Sequence, residues 1–208
     1  MKLFLQTSSG RPVLVLWQGE VVIEQRFDQV QRLDYGVELG KALASAGRSM
    51  AELDGIIVDI GPGRLGATRS AVAFANGLGF ALGLPVLPLN SFVILGVYGE
   101  ATYRRPCLVL RKAARQQFHW ALVRGGQITE AGFSDTGEVR PKTYTGAVVV
   151  AGDAAPEMVS LPSLANAEWS GLNEVPGQAL ALFTPCLHPA KGMVVPLVDT
   201  SNLGIDDG

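Results

Sequence analysis

Apolar positions fall in short runs whose period changes along the chain. Residues 2–7, 12–17 and 20–27 are apolar-rich runs separated by Ser8-Ser9-Gly10-Arg11 and by Gln18-Gly19. Runs bounded by turn formers predict strands in an antiparallel meander. From 29 to 46 the spacing turns helical: Val30, Leu33, Val37 and Ala44 share one stripe, with Arg32, Glu38 and Lys41 off it. Gly47 suits the residue just past a helix end, and Ser49 with Glu52 matches a capping box. A strand is predicted over 55–60, then a turn at Gly61-Pro62-Gly63. A small-residue helix over 67–82, a strand over 85–89 and a helix over 91–98 complete this part.

The second hundred residues repeat the plan. Residues 100–105 are polar and mark the expected boundary between an N-terminal half, 1–103, and a C-terminal half, 104–208. Runs at 107–110, 117–123 and 127–133 predict a second meander, and 147–150 a further strand ending in Ala151-Gly152-Asp153. The last third, rich in proline, offers a helix near 176–183 and an extended stretch over 194–198. A meander followed by helices, twice, predicts two α/β halves.

Composition narrows the function classes. The 208 residues carry a formal charge of −2 with only 17% charged residues and no basic stripe, which argues against direct nucleic-acid binding. Cys107 and Cys186 lack metal-type or redox-type spacing, so reduced thiols and a cytoplasmic location are the expectation. The opening residues are too polar for a signal peptide and read as a strand. No charge occurs from Ser70 to Gly99. Asn76, Gly77, Gly79, Gly83, Pro85, Pro88 and Asn90 nevertheless break that stretch where a membrane span would be continuous, so a buried α/β core and no membrane role are expected.

Two features carry candidate function. In the corner Gly61-Pro62-Gly63-Arg64-Leu65-Gly66-Ala67-Thr68-Arg69, glycine permits a tight turn and proline fixes the backbone between. The start of the following helix leaves N–H groups for an anion or a partner. In the 67–82 helix, Val72, Ala75, Gly79 and Leu82 form one stripe; Phe74, Leu78 and Ala81 form its neighbour, and Ala73 and Phe80 widen the surface. Such a helix must be covered on more than one side. The preceding helix offers Tyr35, Leu39 and Ala46. The expected interface is therefore a two-helix surface with Tyr35, Leu39, Phe74 and Leu78, flanked by Arg64, Leu65 and Arg69, pairing with the like surface of a homologous chain. The competing reading has the C-terminal half cover that face.

The corner, the run Ala75-Asn76-Gly77-Leu78-Gly79 to Leu84-Pro85-Val86, and Pro88-Leu89-Asn90-Ser91-Phe92 together resemble the TsaB (YeaZ) family. The corner departs from the family pattern at Arg64, Leu65 and Ala67, and the C-terminal half matches poorly. The resemblance implies a duplicated actin-like (ribonuclease H-like) fold with two mixed-sheet halves. It also implies a role as the non-catalytic partner of TsaD, which installs threonylcarbamoyl on adenosine 37 of tRNAs reading ANN codons. An associated ATPase would join the assembly, and the isolated chain would form a homodimer.

The residues test that implication. Actin-like ATPases hold magnesium and phosphates with carboxylates at the ends of the first strand of each half, because hard cations need oxygen ligands. Here Gln6 ends the first strand, and Arg111 or Lys112 stands at the matching place in the second half. Replacing an oxygen ligand with a cation opposes magnesium, so no cofactor is expected, with ATP and magnesium entertained only at a partner interface. His119 and His188 form no His-x-x-x-His pair of the kind the TsaD metal site needs. His119 alternates with Phe118 and Trp120 and reads as structural. Ser8 and Ser9 lack an adjacent base, and Asp59 reads as a cap on the turn that follows it. Gly152-Asp153 reads as an ordinary turn, with adenosine contact the sharper alternative. A divergent actin-like ATPase or kinase, a peptidase-like enzyme, and a homodimer that has lost TsaD remain the other readings.

Overall fold

The computed structural model describes residues 1–28, 33–113, 117–154, 156–164, 166–198, 200 and 203. In chain order the elements are β1 (Lys2–Gln6), β2 (Val13–Trp17), β3 (Val21–Arg26), α1 (Tyr35–Ser45), β4 (Gly55–Asp59), α2 (Leu65–Leu82) and β5 (Val86–Leu89). Then come α3 (Ser91–Tyr103), β6 (Cys107–Lys112), β7 (Phe118–Arg124), β8 (Gln127–Ser134), β9 (Val149–Gly152), β10 (Glu168–Trp169) and α4 (Leu180–Phe183). They form two compact units: one is Met1–Leu89 with Pro176–Pro196, and the other is built on Asn90–Val175.

The first unit holds a sheet in the order β3-β2-β1-β4-β5. Strands β1 to β3 are antiparallel, and β4 and β5 run parallel to β1. Leu3, Leu5, Leu14, Leu16, Ile56 and Val58 share a core with Leu39, Ala42 and Leu43 of α1 and Ala71, Val72 and Ala75 of α2. Phe4, Val15 and Ile57, on the other face, are equally buried. Burial on both faces is why these strands read as unbroken apolar runs instead of alternating ones.

Asp34 starts α1, its carboxylate accepting N–H bonds from Gly36 and Val37. Residues 29–32 of the expected 29–46 helix lie outside the described residues. The expected stripe is corrected: Val37 and Ala44 are exposed, while Tyr35, Leu39, Ala42 and Leu43 are buried. The larger leucines and tyrosine win the core, because they remove more apolar surface from water.

The chain returns to this unit after residue 175. The Gly177 N–H donates to Glu24 on β3 at 2.8 Å, and the Ala190 N–H donates to the Val86 carbonyl at the β5 edge. This return adds Pro176–Pro196 to the first unit, which no sequence motif indicated.

The second unit has a sheet in the order β10-β9-β6-β7-β8. Strands β6 to β8 are antiparallel, β9 is parallel to β6, and β10 is parallel to β9. Helix α3 packs on β6, β7 and β9, so closely that a Cβ on Gly96 would lie 2.2 Å from Val123. It runs to Tyr103, through part of the stretch expected to be a linker, and its Glu100 carboxylate accepts the Gly125 and Gly126 N–H groups of the β7–β8 turn. The compact units therefore divide between Leu89 and Asn90, where the sequence suggested 103/104. A charged turn of helix read as a linker because its charges face the β7–β8 turn and solvent.

Candidate functional site

Strand register identifies the equivalent positions of the two halves. Leu5 pairs with Val58 and Leu110 with Gly152, so one step further Gln6 faces Asp59 and Arg111 faces Asp153. The match extends to hydrogen bonds: the Thr7 N–H donates to Asp59 at 3.0 Å, and the Lys112 N–H to Asp153 at 2.9 Å. The residue standing where Gln6 stands in the first half is thus Arg111, not Lys112.

Asp59 is fully buried and accepts two further bonds, from the N–H groups of Ser8 at 2.8 Å and Gly61 at 2.9 Å. This ties the end of β1 to the corner. The Gly61–Pro62 peptide is cis. Gly63 approaches Ser8 so closely that a Cβ would lie 2.4 Å from the Ser8 carbonyl oxygen. Only glycine fits there. The expected phosphate-binding role of Gly61, Pro62 and Gly63 meets two obstacles: Gly61 already gives its N–H to Asp59, and the Asp59 carboxylate lies beneath the turn, against an incoming anion. The corner acts locally as a closed clasp.

At the second strand end the Arg111 side chain is fully buried. Its guanidinium donates to the Asn173 side-chain oxygen at 2.7 Å and to the Ser91 hydroxyl at 3.4 Å. A buried cation is costly unless its donors are matched, so this is a constructed position. Lys112 is exposed. His119 lies opposite Arg111 in register, buried against the Phe133 ring at 5.0 Å. Among the described residues, no cluster of three or more His, Cys, Asp or Glu is placed to hold a metal ion. Burial pushes the Cys107 thiol well above its usual range, with Glu100 adding to it, so this cysteine is inert at neutral pH.

The expected interface residues divide into two groups. Tyr35 and Leu39 are buried in the first unit's core, and the Tyr35 ring stacks on Phe74 at 5.6 Å. Burial, helped by the charge of Asp59, pushes the Tyr35 hydroxyl up to about 12. Phe74 and Leu78 are half-buried against the same core. Tyr35 and Leu39 therefore lie inside the first unit, Phe74 joins α1 to α2 through the Tyr35 ring, and Phe74 and Leu78 each keep part of their surface outside. Arg64, Leu65 and Arg69 are exposed.

The outer face of α2 carries Gly66, Ser70, Ala73, Gly77, Phe80 and Ala81, and that of α1 carries Val37, Gly40 and Ala44. A Cβ on Gly40, Gly66 or Gly77 would meet nothing within 4 Å. Glycine inside a helix costs roughly 0.5–1 kcal/mol relative to alanine, and packing within this chain does not require it at these places.

Two mixed five-stranded sheets of the same plan define a duplicated, actin-like α/β protein of the ribonuclease H-like class. The structure of YeaZ from Pseudomonas aeruginosa superposes with a TM-score of 0.76 at 19% identity, covering 94% of this chain and 98% of that one. A second Pseudomonas aeruginosa structure, described as similar to peptidase YEAZ, gives 0.74 at 20% identity over 94% and 97%. The family model for TsaD, tRNA N6-adenosine threonylcarbamoyltransferase, matches residues 36–149. This chain belongs to that family. It is 36% identical over 121 residues to an uncharacterized protein of Mycobacterium leprae, covering 58% of this chain and 31% of that protein. It is 45% identical over 60 residues to the tRNA N6-adenosine threonylcarbamoyltransferase of Paracoccus denitrificans, covering 29% and 16%. The chain thus spans less than a third of the length of these two relatives. No helix among the described residues is long and apolar enough to cross a membrane.

Proposed function

We propose that this chain is a non-catalytic, TsaB-type subunit that binds and steadies a TsaD-type enzyme in the cytoplasmic machinery forming threonylcarbamoyladenosine in tRNA. The observation that carries the proposal is the pair of equivalent strand ends, Gln6 and Arg111. Actin-like ATPases use carboxylates in these places, and a buried guanidinium opposes magnesium where an oxygen ligand would bind it. The flat outer face of α1 and α2 supports the partner role, since glycines with no packing reason of their own allow another helix to come close. In the absence of the enzyme, a second copy would occupy this face more weakly. An associated ATPase, and not this chain, would supply nucleotide turnover.

Co-expression with the TsaD-type protein of the same organism tests the reading. The tagged chain is expected to capture that protein, and Gly77→Glu to abolish capture while the thermal midpoint stays within a few degrees. A folded chain that captures nothing, at any salt concentration, contradicts it.

A further inference from the structure

Residues 187–196 belong to no helix or strand and return along the first unit as a strap. Asn76 clasps it. The Asn76 amide nitrogen donates to the Val194 carbonyl at 2.8 Å, and its amide oxygen accepts the Val194 N–H at 3.0 Å. A side-chain amide carries the same donor and acceptor as a peptide unit, so Asn76 does for Val194 what a neighbouring strand would do. Further back on the strap, the Ala190 N–H donates to the Val86 carbonyl at 2.9 Å. That carbonyl lies on the edge of the first sheet, which β5 ends. The Pro85 and Leu89 carbonyls accept from Ile56 and Ile60 beside β4, so alternation turns Val86 and Pro88 outward. Pro88 has no N–H to offer there. The strap answers the carbonyl that remains at Val86.

The seat is rigid and the strap is lightly fastened. Gly79, one helical turn beyond Asn76, brings α2 so close to β5 that a Cβ would lie 2.6 Å from the Val86 side chain. Asn76 and the Val86 carbonyl are thus held by a helix and a strand in contact. On the strap, Val194 is buried in the core of the first unit and Ala190 is half-buried against it. Lys191, Gly192, Met193 and Val195 are exposed, Met193 at 82% and Val195 at 70%. One aliphatic side chain and three hydrogen bonds to its main chain therefore fasten this segment. Segments with so few buried groups open without unfolding of the core. Recognition through the main chain is indifferent to sequence, so the seat asks for little: an extended backbone and one aliphatic side chain in the place of Val194.

We infer that Asn76 and the Val86 carbonyl form a peptide-docking seat that this chain closes with its own strap. The strap opens as a unit, and an extended segment of another protein, with one valine-like side chain between exposed neighbours, takes its place. The inference stands apart from the reading of the chain as a subunit of a tRNA-modifying assembly.

Hydrogen exchange of the full chain, and binding of a labelled peptide with the sequence of residues 187–197, test it. In Asn76→Ala, the Ala190 amide, which Asn76 does not touch, is expected to exchange about tenfold faster or more, while the amides of β1 and β4 keep their wild-type rates. Val194→Asp sets a carboxylate against an apolar seat and expels the strap. The peptide is expected to bind this variant about tenfold more tightly than the wild type, whose seat is filled, and Asn76→Ala in the same chain is expected to abolish that binding. Val194→Gly, which removes the anchor and adds no charge, gives the same comparison if the aspartate variant does not fold. A wild-type exchange rate at Ala190 in Asn76→Ala overturns the inference, as does a peptide that binds neither opened variant or binds the wild type equally well. A wild-type dimer that Asn76→Ala dissolves would put a second copy's strap in the seat and overturn the assignment to another protein.

Discussion

The two strand ends share one scaffold and differ in what was built on it. In the first half Asp59 gathers three backbone N–H groups and closes the Gly61–Gly63 corner. In the second half Asp153 takes only the Lys112 N–H among these equivalents, and polar partners instead gather around Arg111. Duplication thus preserved the register and the aspartate while the neighbouring position diverged to an amide on one side and a guanidinium on the other. The scaffold explains the fold, and the divergent pair is what supports the proposal of a non-catalytic subunit.

The largest expected effect concerns a position where the two backbones part, since Gly152 stands where the first half has Val58. Gly152 has φ of +117°, and a Cβ would lie 1.8 Å from the Leu110 carbonyl oxygen. Gly152→Val should cost about 4 kcal/mol or more, or prevent folding, as read by urea denaturation. Tolerance of valine there would mean that the backbone at Gly152 can take the extended form of Val58, against this difference between the halves. Next comes the asymmetry of the aspartates. Asp59→Ala strands three buried donors and should cost about 3 kcal/mol, whereas Asp153→Ala should cost about 1 kcal/mol. Equal losses would mean that the first corner is no more of a clasp than the second.

Titration probes the first half more gently. The Tyr35 hydroxyl is raised to about 12 in the folded chain, against about 10 when unfolded. A raised value means that its contribution is fully present below pH 10 and is lost as pH rises from 10 to 12, up to about 2 kcal/mol. Tyr35→Phe should remove this alkaline loss, measured as urea midpoints between pH 9 and 12. The smallest effect lies at the far end of the first sheet. Hydrogen bonds from Lys2 and then from the Met1 amine hold the Asp54 carboxyl below its usual range. A lowered value gives stability that is present above the unfolded pKa and lost as pH falls through the folded one. Because Asp54 is largely exposed, Asp54→Asn should shift the acid midpoint by only about 0.5 kcal/mol.

The strands were legible because their burial on both faces produces long apolar runs, and the corner because glycine and proline are local signals. The faces of the helices were not. Val37 and Ala44 fit the helical period as well as Leu39 and Leu43 do, and only packing against β2 and α2 decides which pair goes inside. The burial of Tyr35 and Leu39 in the first unit's core has the same cause. Residues 100–103 looked like a linker because sequence does not show that Glu100 caps a turn some 25 positions later. The Asn76 clasp carried no signal, since one asparagine in a helix gives no hint of a partner 118 residues away.

The most direct test of the divergent strand ends is titration of the isolated chain with ATP, with and without magnesium. No magnesium-dependent heat is expected, since Gln6 and Arg111 offer the metal no carboxylate. Micromolar binding that requires magnesium would contradict the account and return the chain to the catalytic members of its class.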